Sequence, residues 1–305
     1  MQATSTLERP VTTPAAVPSS RSWNRAFADL RDGYGMRQLW AHLGWQDIKQ
    51  RYRRSVIGPL WITISMGVTA VGLGVLYSVL FGQPIKTFLP YVVVGFIVWN
   101  FINGCLTEGM ETFVVNEGMI KQMPAPLSVY MLRTVWRQIL LLGHNLIVYV
   151  LVIAVFFGTL DKPYTMVPGG PVHPGLGWNT LLLVPGVILL AINGAWVALF
   201  LGIISTRFRD IPQVITSILQ LIFYLTPIIW SPDTFLYGKD NSLSWARVLF
   251  QFNPLYHFVQ IMRGPMIGQT VSPISWLVAV GFTIVGWAIA LVAMRNYRAR
   301  VSYWV

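Results

Sequence analysis

Charge is scarce in this sequence. Of its 305 residues only 11% are Asp, Glu, Lys or Arg, against 54% that are hydrophobic, whereas soluble globular proteins carry about 25% charged residues. The 22 basic and 11 acidic side chains are too few to cover a soluble two-domain surface, and the apolar content excludes a disordered chain. Cysteine is almost absent: Cys105 stands alone, so there is no disulfide framework. His42, His144, His173 and His257 offer no metal-ligand spacing with it, which leaves no metal site to expect. A G-x-S-x-G elbow is missing, and no acidic pair is set for glycosyl transfer, so no catalytic residue is expected. The single Gly-Lys pair, Gly238–Lys239, is followed by Asp240 rather than Ser or Thr, so the chain has no P-loop and binds no cofactor of its own. What remains is a polytopic membrane protein.

The basic excess, a formal +11, falls in short clusters between long uncharged stretches. That is the pattern of membrane topology signals, not of a nucleic-acid-binding stripe. The stretches predict six transmembrane helices near 58–81, 89–106, 139–158, 181–205, 213–230 and 274–294. The 44 residues between Lys162 and Arg207 carry no charge, but their first part, PYTMVPGGPVHPGLGWN, reads as loop. Six spans put both termini on one side. That side holds 17 of the Lys and Arg residues and the other five, which makes the termini cytoplasmic. Residues 1–22 read as a disordered arm with no signal-peptide core, and 301–305 as a short cytoplasmic tail around the 56–300 transmembrane domain. No Asp or Glu lies inside a span, so an ion-coupled relay lacks its usual carboxylates.

Three segments outside the spans carry pattern. Residues 23–55 place Trp23, Phe27 and Leu30, then Met36, Leu39, Trp40 and Leu43, at helical spacing, with a basic remainder ending in Arg51, Arg53 and Arg54. A basic amphipathic helix in the plane of the inner leaflet fits this, and a plain positive-inside anchor explains the last three arginines by itself. The loop 107–137 contains a short helix stopped by Pro124 and Pro126, suited either to docking in a partner or to packing on its own protein. Between spans five and six, NPLYHFVQIMRGPMI is apolar, helical in spacing and too short to cross, so it reads as a re-entrant or interfacial helix, a gate or a lid. Aromatics are plentiful, 41 in all. Most are anchors or packing, though aromatic faces also stack on polar polymers without fixing register.

At QDIKQRYRRSVIGPLW (46–61) the sequence resembles the permease subunits of ABC-2 polysaccharide exporters, the Wzm-type O-antigen and teichoic-acid transporters. NEGMIKQMPAPLSVY, TRFRDIPQV, LTPIIW and NPLYHFVQIMR resemble the same family in the same order. Together with the terminal NYRARVSYWV, the wording is similar to the mycobacterial branch that exports a lipid-linked galactan. The resemblance implies an all-α homodimer in the cytoplasmic membrane, bound to two copies of a separate ABC ATPase subunit that supplies ATP hydrolysis. It implies that Asn116, Glu117, Met119, Ile120 and Lys121 form the helix coupled to that ATPase, and that 23–55 is an interface helix. Residues 233–268 would be periplasmic gate helices. Spans one and five would line the channel, making Trp61, Tyr77, Phe223 and Tyr224 sugar contacts by their position. Arg51, Arg53 and Arg54 at the inner mouth match the phosphate oxygens of a polyprenyl-diphosphate-linked glycan, galactan, O-antigen or teichoic-acid-like. The alternatives are an ABC-2 drug or lipid exporter, and an integral-membrane glycan-modifying enzyme built on Asp233 and Asp240.

Overall fold

In a computed structural model, residues 21–305 are described apart from 52, 54, 59, 124 and 238–245. The arm expected over 1–22 therefore lies outside the described residues except for Arg21 and Ser22, as do Arg54 and Asp240.

Among the described residues, five helices are long and apolar enough to cross a membrane: α3 (Leu60–Leu80), α4 (Ile85–Glu111), α6 (Leu127–Leu160), α7 (Leu183–Arg207, preceded by a 3-10 turn over Trp178–Leu182) and α12 (Pro273–Trp304). Several outrun the expected spans. α6 starts at Leu127 rather than near 139, and its 34 residues reach about 51 Å, well beyond the ~30 Å hydrocarbon layer. It is therefore longer than a perpendicular crossing requires. The tail expected at 301–305 is instead helical through Trp304, the last turn of α12.

The fifth expected span, 213–230, is corrected. α8 runs Ile211–Leu225, 15 residues or about 22 Å. Thr226 turns to an extended conformation because it precedes Pro227, whose ring excludes a helical residue before it. The stretch that follows is non-helical yet buried, with Thr226, Ile228 and Ser231 almost fully enclosed.

α4 is the central post, buried along most of its apolar length against α3, α6, α7 and α11 (Pro254–Ile267). Apolar surface gains little by leaving lipid for protein, so helices here associate through close backbone approach. A Cβ on Gly109 of α4 would sit 2.8 Å from Ala198 Cα of α7, and one on Gly286 of α12 would overlap the Trp196 indole.

One end carries α9 (Pro232–Leu236), α10 (Ala246–Gln251), α11 and a two-stranded ribbon, β1 (Tyr164–Thr165) against β2 (Val172–His173). The three helices occupy the segment expected to hold gate helices, 233–268. α11 begins where Asn253 accepts the Leu255 N–H and Pro254 presets the first turn. It ends at Gly268, whose positive φ favours glycine and whose Cβ would overlap Gly175 backbone. Within α11, Arg263 is fully buried, stacked 3.8 Å over Tyr91 and donating to the Pro227 carbonyl at 2.7 Å. It thus clamps the non-helical stretch onto α4.

Candidate functional site

The opposite end is basic. The segment expected as one amphipathic helix is two, α1 (Trp23–Gly35) and α2 (Arg37–Arg51), broken at Met36 after the glycines of α1. Their buried positions are Ala26, Asp29 and Gly33, then Gly44 and Ile48, facing α6. The Trp23 and Phe27 rings expected on the apolar face stack on each other 6.3 Å apart and remain exposed.

α1 is tied down by one carboxylate. Pro126 precedes α6 and offers no side-chain cap. Asp29 supplies it from another helix, accepting the backbone N–H groups of Leu127 at 3.2 Å and Ser128 at 3.0 Å. The Ser128 hydroxyl donates to the Asp29 carbonyl at 2.6 Å, and Arg298 of α12 donates to the carboxylate at 2.9 Å. A Cβ on Gly33 would overlap Ser128 Oγ, so only glycine admits this approach.

α2 is held by a network of charge. Arg133 of α6 forks onto both oxygens of Asp47, its Nε at 2.8 Å. Arg137, one turn along, donates to Asp47 at 2.7 Å and to Glu108 of α4 at 2.8 Å. Gln138 also donates to Glu108, and Arg51 reaches its other oxygen at 3.3 Å. Burial pushes the Asp47 carboxyl up, but the hydrogen bonds and charges of Arg133 and then Arg137 outweigh it and hold it below the ordinary carboxylate range.

Asn116 joins the network and opens α5 (Glu117–Gln122). Its side-chain oxygen accepts from Arg133 at 2.7 Å and its amide donates to the Thr112 carbonyl. Of the five residues expected to face a partner, the structure divides the set. Glu117 and Lys121 are exposed and paired at 2.6 Å, which lowers the Glu117 carboxyl pKa. Met119 and Ile120 instead pack half-buried on the cluster of Phe113, Leu127 and Tyr130. Two residues not singled out in the sequence flank the outward face: Val115, 73% exposed, and Met123. Their signal was an apolar side chain on either side of a charged turn.

Of the arginines expected at the inner mouth, Arg51 is half exposed while paired with Glu108, Arg53 is exposed, and Arg54 lies outside the described residues.

The four aromatics expected along a channel do not form one group. Trp61 is exposed near the basic end of α3, whereas Tyr77 lies 16 residues further along the same helix, about 24 Å away. Tyr77 and Phe223 share a cluster built on Trp99 of α4, with Phe223 5.4 Å from Trp99 and 5.6 Å from Phe96. Tyr224 is exposed. Sequence reading missed the polar row leading up to it. On α8 only Leu219 is buried, and Gln213, Ser217, Gln220 and Tyr224, at i, i+4, i+7 and i+11, form an exposed line. Trp61, Ser65, Thr69 and Gly72 repeat the pattern on α3. The spacing was legible, but hydropathy masked it.

The family model described as "ABC-2 type transporter" matches residues 38–267. The chain is 24% identical over 248 residues to an O-antigen export system permease protein RfbA of Klebsiella pneumoniae, covering 80% of this chain and 87% of that one. A second protein of that name from the same organism is 25% identical over 250 residues, with the same coverage. One from Myxococcus xanthus is 23% identical over 218, covering 71% and 77%. With helices fit to cross a membrane several times, a basic end organised around α5 and a family match from α2 to the end of α11, the chain belongs to the ABC-2 type transporters, as a multi-pass membrane subunit.

Proposed function

We propose that the chain is the permease subunit of an ATP-driven exporter that moves a polyprenyl-diphosphate-linked polysaccharide across the cytoplasmic membrane of a bacterium. In this reading it works as a homodimer with two copies of a separate ATPase subunit, and its termini and basic end face the cytoplasm. The observation that carries the reading is the exposed row Gln213–Ser217–Gln220–Tyr224 on a largely apolar α8. In hydrocarbon each unsatisfied amide costs several kcal/mol, so such a row belongs beside water or a polar polymer. A single copy leaves the row uncovered, and a second copy facing it encloses a polar path. The names of the relatives, O-antigen export permeases, support a polysaccharide cargo, and the resemblance carried by HLGWQDIKQRYRRSVIGP, NEGMIKQMPAPLSVY and the terminal NYRARVSYWV favours a lipid-linked galactan.

The exposed face of α5, with Glu117, Lys121, Val115 and Met123, is the seat for the ATPase subunit. α6 in turn carries α5, α1 and α2 at the cytoplasmic end. Arg51 and Arg53 supply guanidinium donors for the lipid diphosphate at the inner mouth, Arg51 exchanging Glu108 for phosphate oxygens. Trp61, Tyr77, Phe223 and Tyr224 supply stacking surface at successive depths.

A tagged chain purified from its native membranes tests this reading. A P-loop ATPase is expected to co-purify in equal number, and simultaneous replacement of Val115, Glu117 and Lys121 by alanine is expected to release it. A chain that purifies alone, or that turns over a glycan by itself, overturns the reading.

A further inference from the structure

We propose that Arg133 is a positioning residue that transmits movement of α5 to the interface helix α2, an inference that rests on α5 being the seat of the ATPase subunit. A single guanidinium makes the link. Its Nε and one terminal nitrogen hold both oxygens of Asp47 on α2, and its other terminal nitrogen donates to Asn116 Oδ1 at the head of α5, 2.7 Å away. The same nitrogen lies 3.6 Å from Met119 Sδ. The fork is planar and rigid, and its three occupied nitrogens fix Asp47 and Asn116 relative to one another. Screening is weak, because the side chains of Arg133 and Asp47 are only 15% and 16% exposed. Asn116 is itself held from behind by the Thr112 carbonyl, so displacement of α5 is passed to the guanidinium and not absorbed by a free amide.

The network also separates transmission from mere attachment. Asp47 is held a second time by Arg137, which is anchored to Glu108 of α4. Without the Arg133 fork, α2 stays fixed to α6 and α4 but loses this direct link to the head of α5. Lysine at 133 keeps the charge beside Asp47, but one ammonium on a flexible stem cannot reproduce the two-oxygen fork together with the Asn116 bond. Asn116→Ala cuts the other arm and leaves the Asp47 fork intact.

The test uses the full chain with its ATPase subunit in lipid nanodiscs. Trp45→Cys, on the exposed face of α2, and Gln122→Cys, on α5, serve as separate maleimide reporters; the native Cys105 is buried and silent. The expected result has three parts. Gln122→Cys is protected by the ATPase subunit, the labelling rate of Trp45→Cys changes on addition of ATP and vanadate, and that change is lost in R133K and in N116A while Gln122→Cys stays protected. Survival of the Trp45→Cys response in both variants overturns the inference, even if their melting temperatures fall, because the fork is then only structural. A Trp45→Cys reporter that ignores nucleotide in the otherwise unaltered complex, with Gln122→Cys protected, also overturns it and leaves the seat of the ATPase standing. An unprotected Gln122→Cys overturns the seat itself, and this inference with it.

Discussion

Asp29 accepts two buried backbone N–H groups at the start of α6 and pairs with Arg298. Asp29→Ala leaves both amides and the guanidinium without their acceptor, and we expect it to cost about 2–4 kcal/mol, read as a lowered melting temperature in detergent. Arg298→Ala, whose side chain is partly exposed, should cost less. Glycines two residues apart give a sharper contrast. Gly33→Ala drives a methyl group into Ser128 and should lower the melting temperature, whereas Gly35→Ala meets nothing within 4 Å and should leave it unchanged or slightly raised. Asp47 predicts a pH dependence. Its folded pKa lies below the ordinary carboxylate value, so the stability it contributes is fully present above an unfolded pKa of about 3.9 and is lost as pH falls through the lower folded value. The melting difference between the native chain and D47N should thus hold steady from about pH 8 to pH 5 and close below about pH 4. None of these roles was legible in the sequence, where Asp29 and Asp47 are two acids in a basic, helix-forming stretch. Their partners lie 86 or more residues away along the chain, and no local pattern encodes such a pairing.

At the scale of elements, gaps in charge located the membrane helices, because bilayer thickness demands long apolar runs whatever the tertiary fold. Boundaries were less legible. Hydropathy carried the fifth span on to Trp230, while the pre-proline constraint at Thr226 ended α8 five residues earlier. The 23–55 segment was read as one helix with its aromatics in lipid. Its structure instead follows Gly33 and Gly44, which let α1 and α2 lie against α6. α8 is the most lightly held of the long apolar helices, backed by a cavity of about 340 Å³ among Phe101, Cys105, Leu190, Ile215 and Phe258, and it carries the polar row outward. Replacing Gln213 and Gln220 together by leucine removes both amides from this row and leaves only Ser217 and Tyr224 of it. The expected outcome is loss of glycan export with membrane insertion and ATPase recovery retained, measured by cell-surface glycan labelling and by co-purification.

Across the whole molecule, the uneven charge seen in the sequence becomes a division of labour between two ends. The basic residues of the N-terminal helices, the 107–137 loop, the α7–α8 turn and the last turns of α12 meet at one end, where Arg207 lies 5.2 Å over Trp304 and Arg209 donates to its carbonyl. The opposite end is closed by short helices and the buried Arg263 clamp. The gathering of basic residues at one end was legible because sorting of charge across a membrane acts on composition. What covers the exposed faces of α3 and α8 was not, since in the proposed homodimer it is a second chain. The account's central claim is tested most directly in inside-out membrane vesicles containing the chain and its ATPase subunit, supplied with radiolabelled polyprenyl-diphosphate-linked glycan. It predicts that ATP, and not a non-hydrolysable analogue, moves the label into the lumen, where added glycosidase cannot reach it. Label that stays fully accessible to glycosidase in the presence of ATP would contradict it.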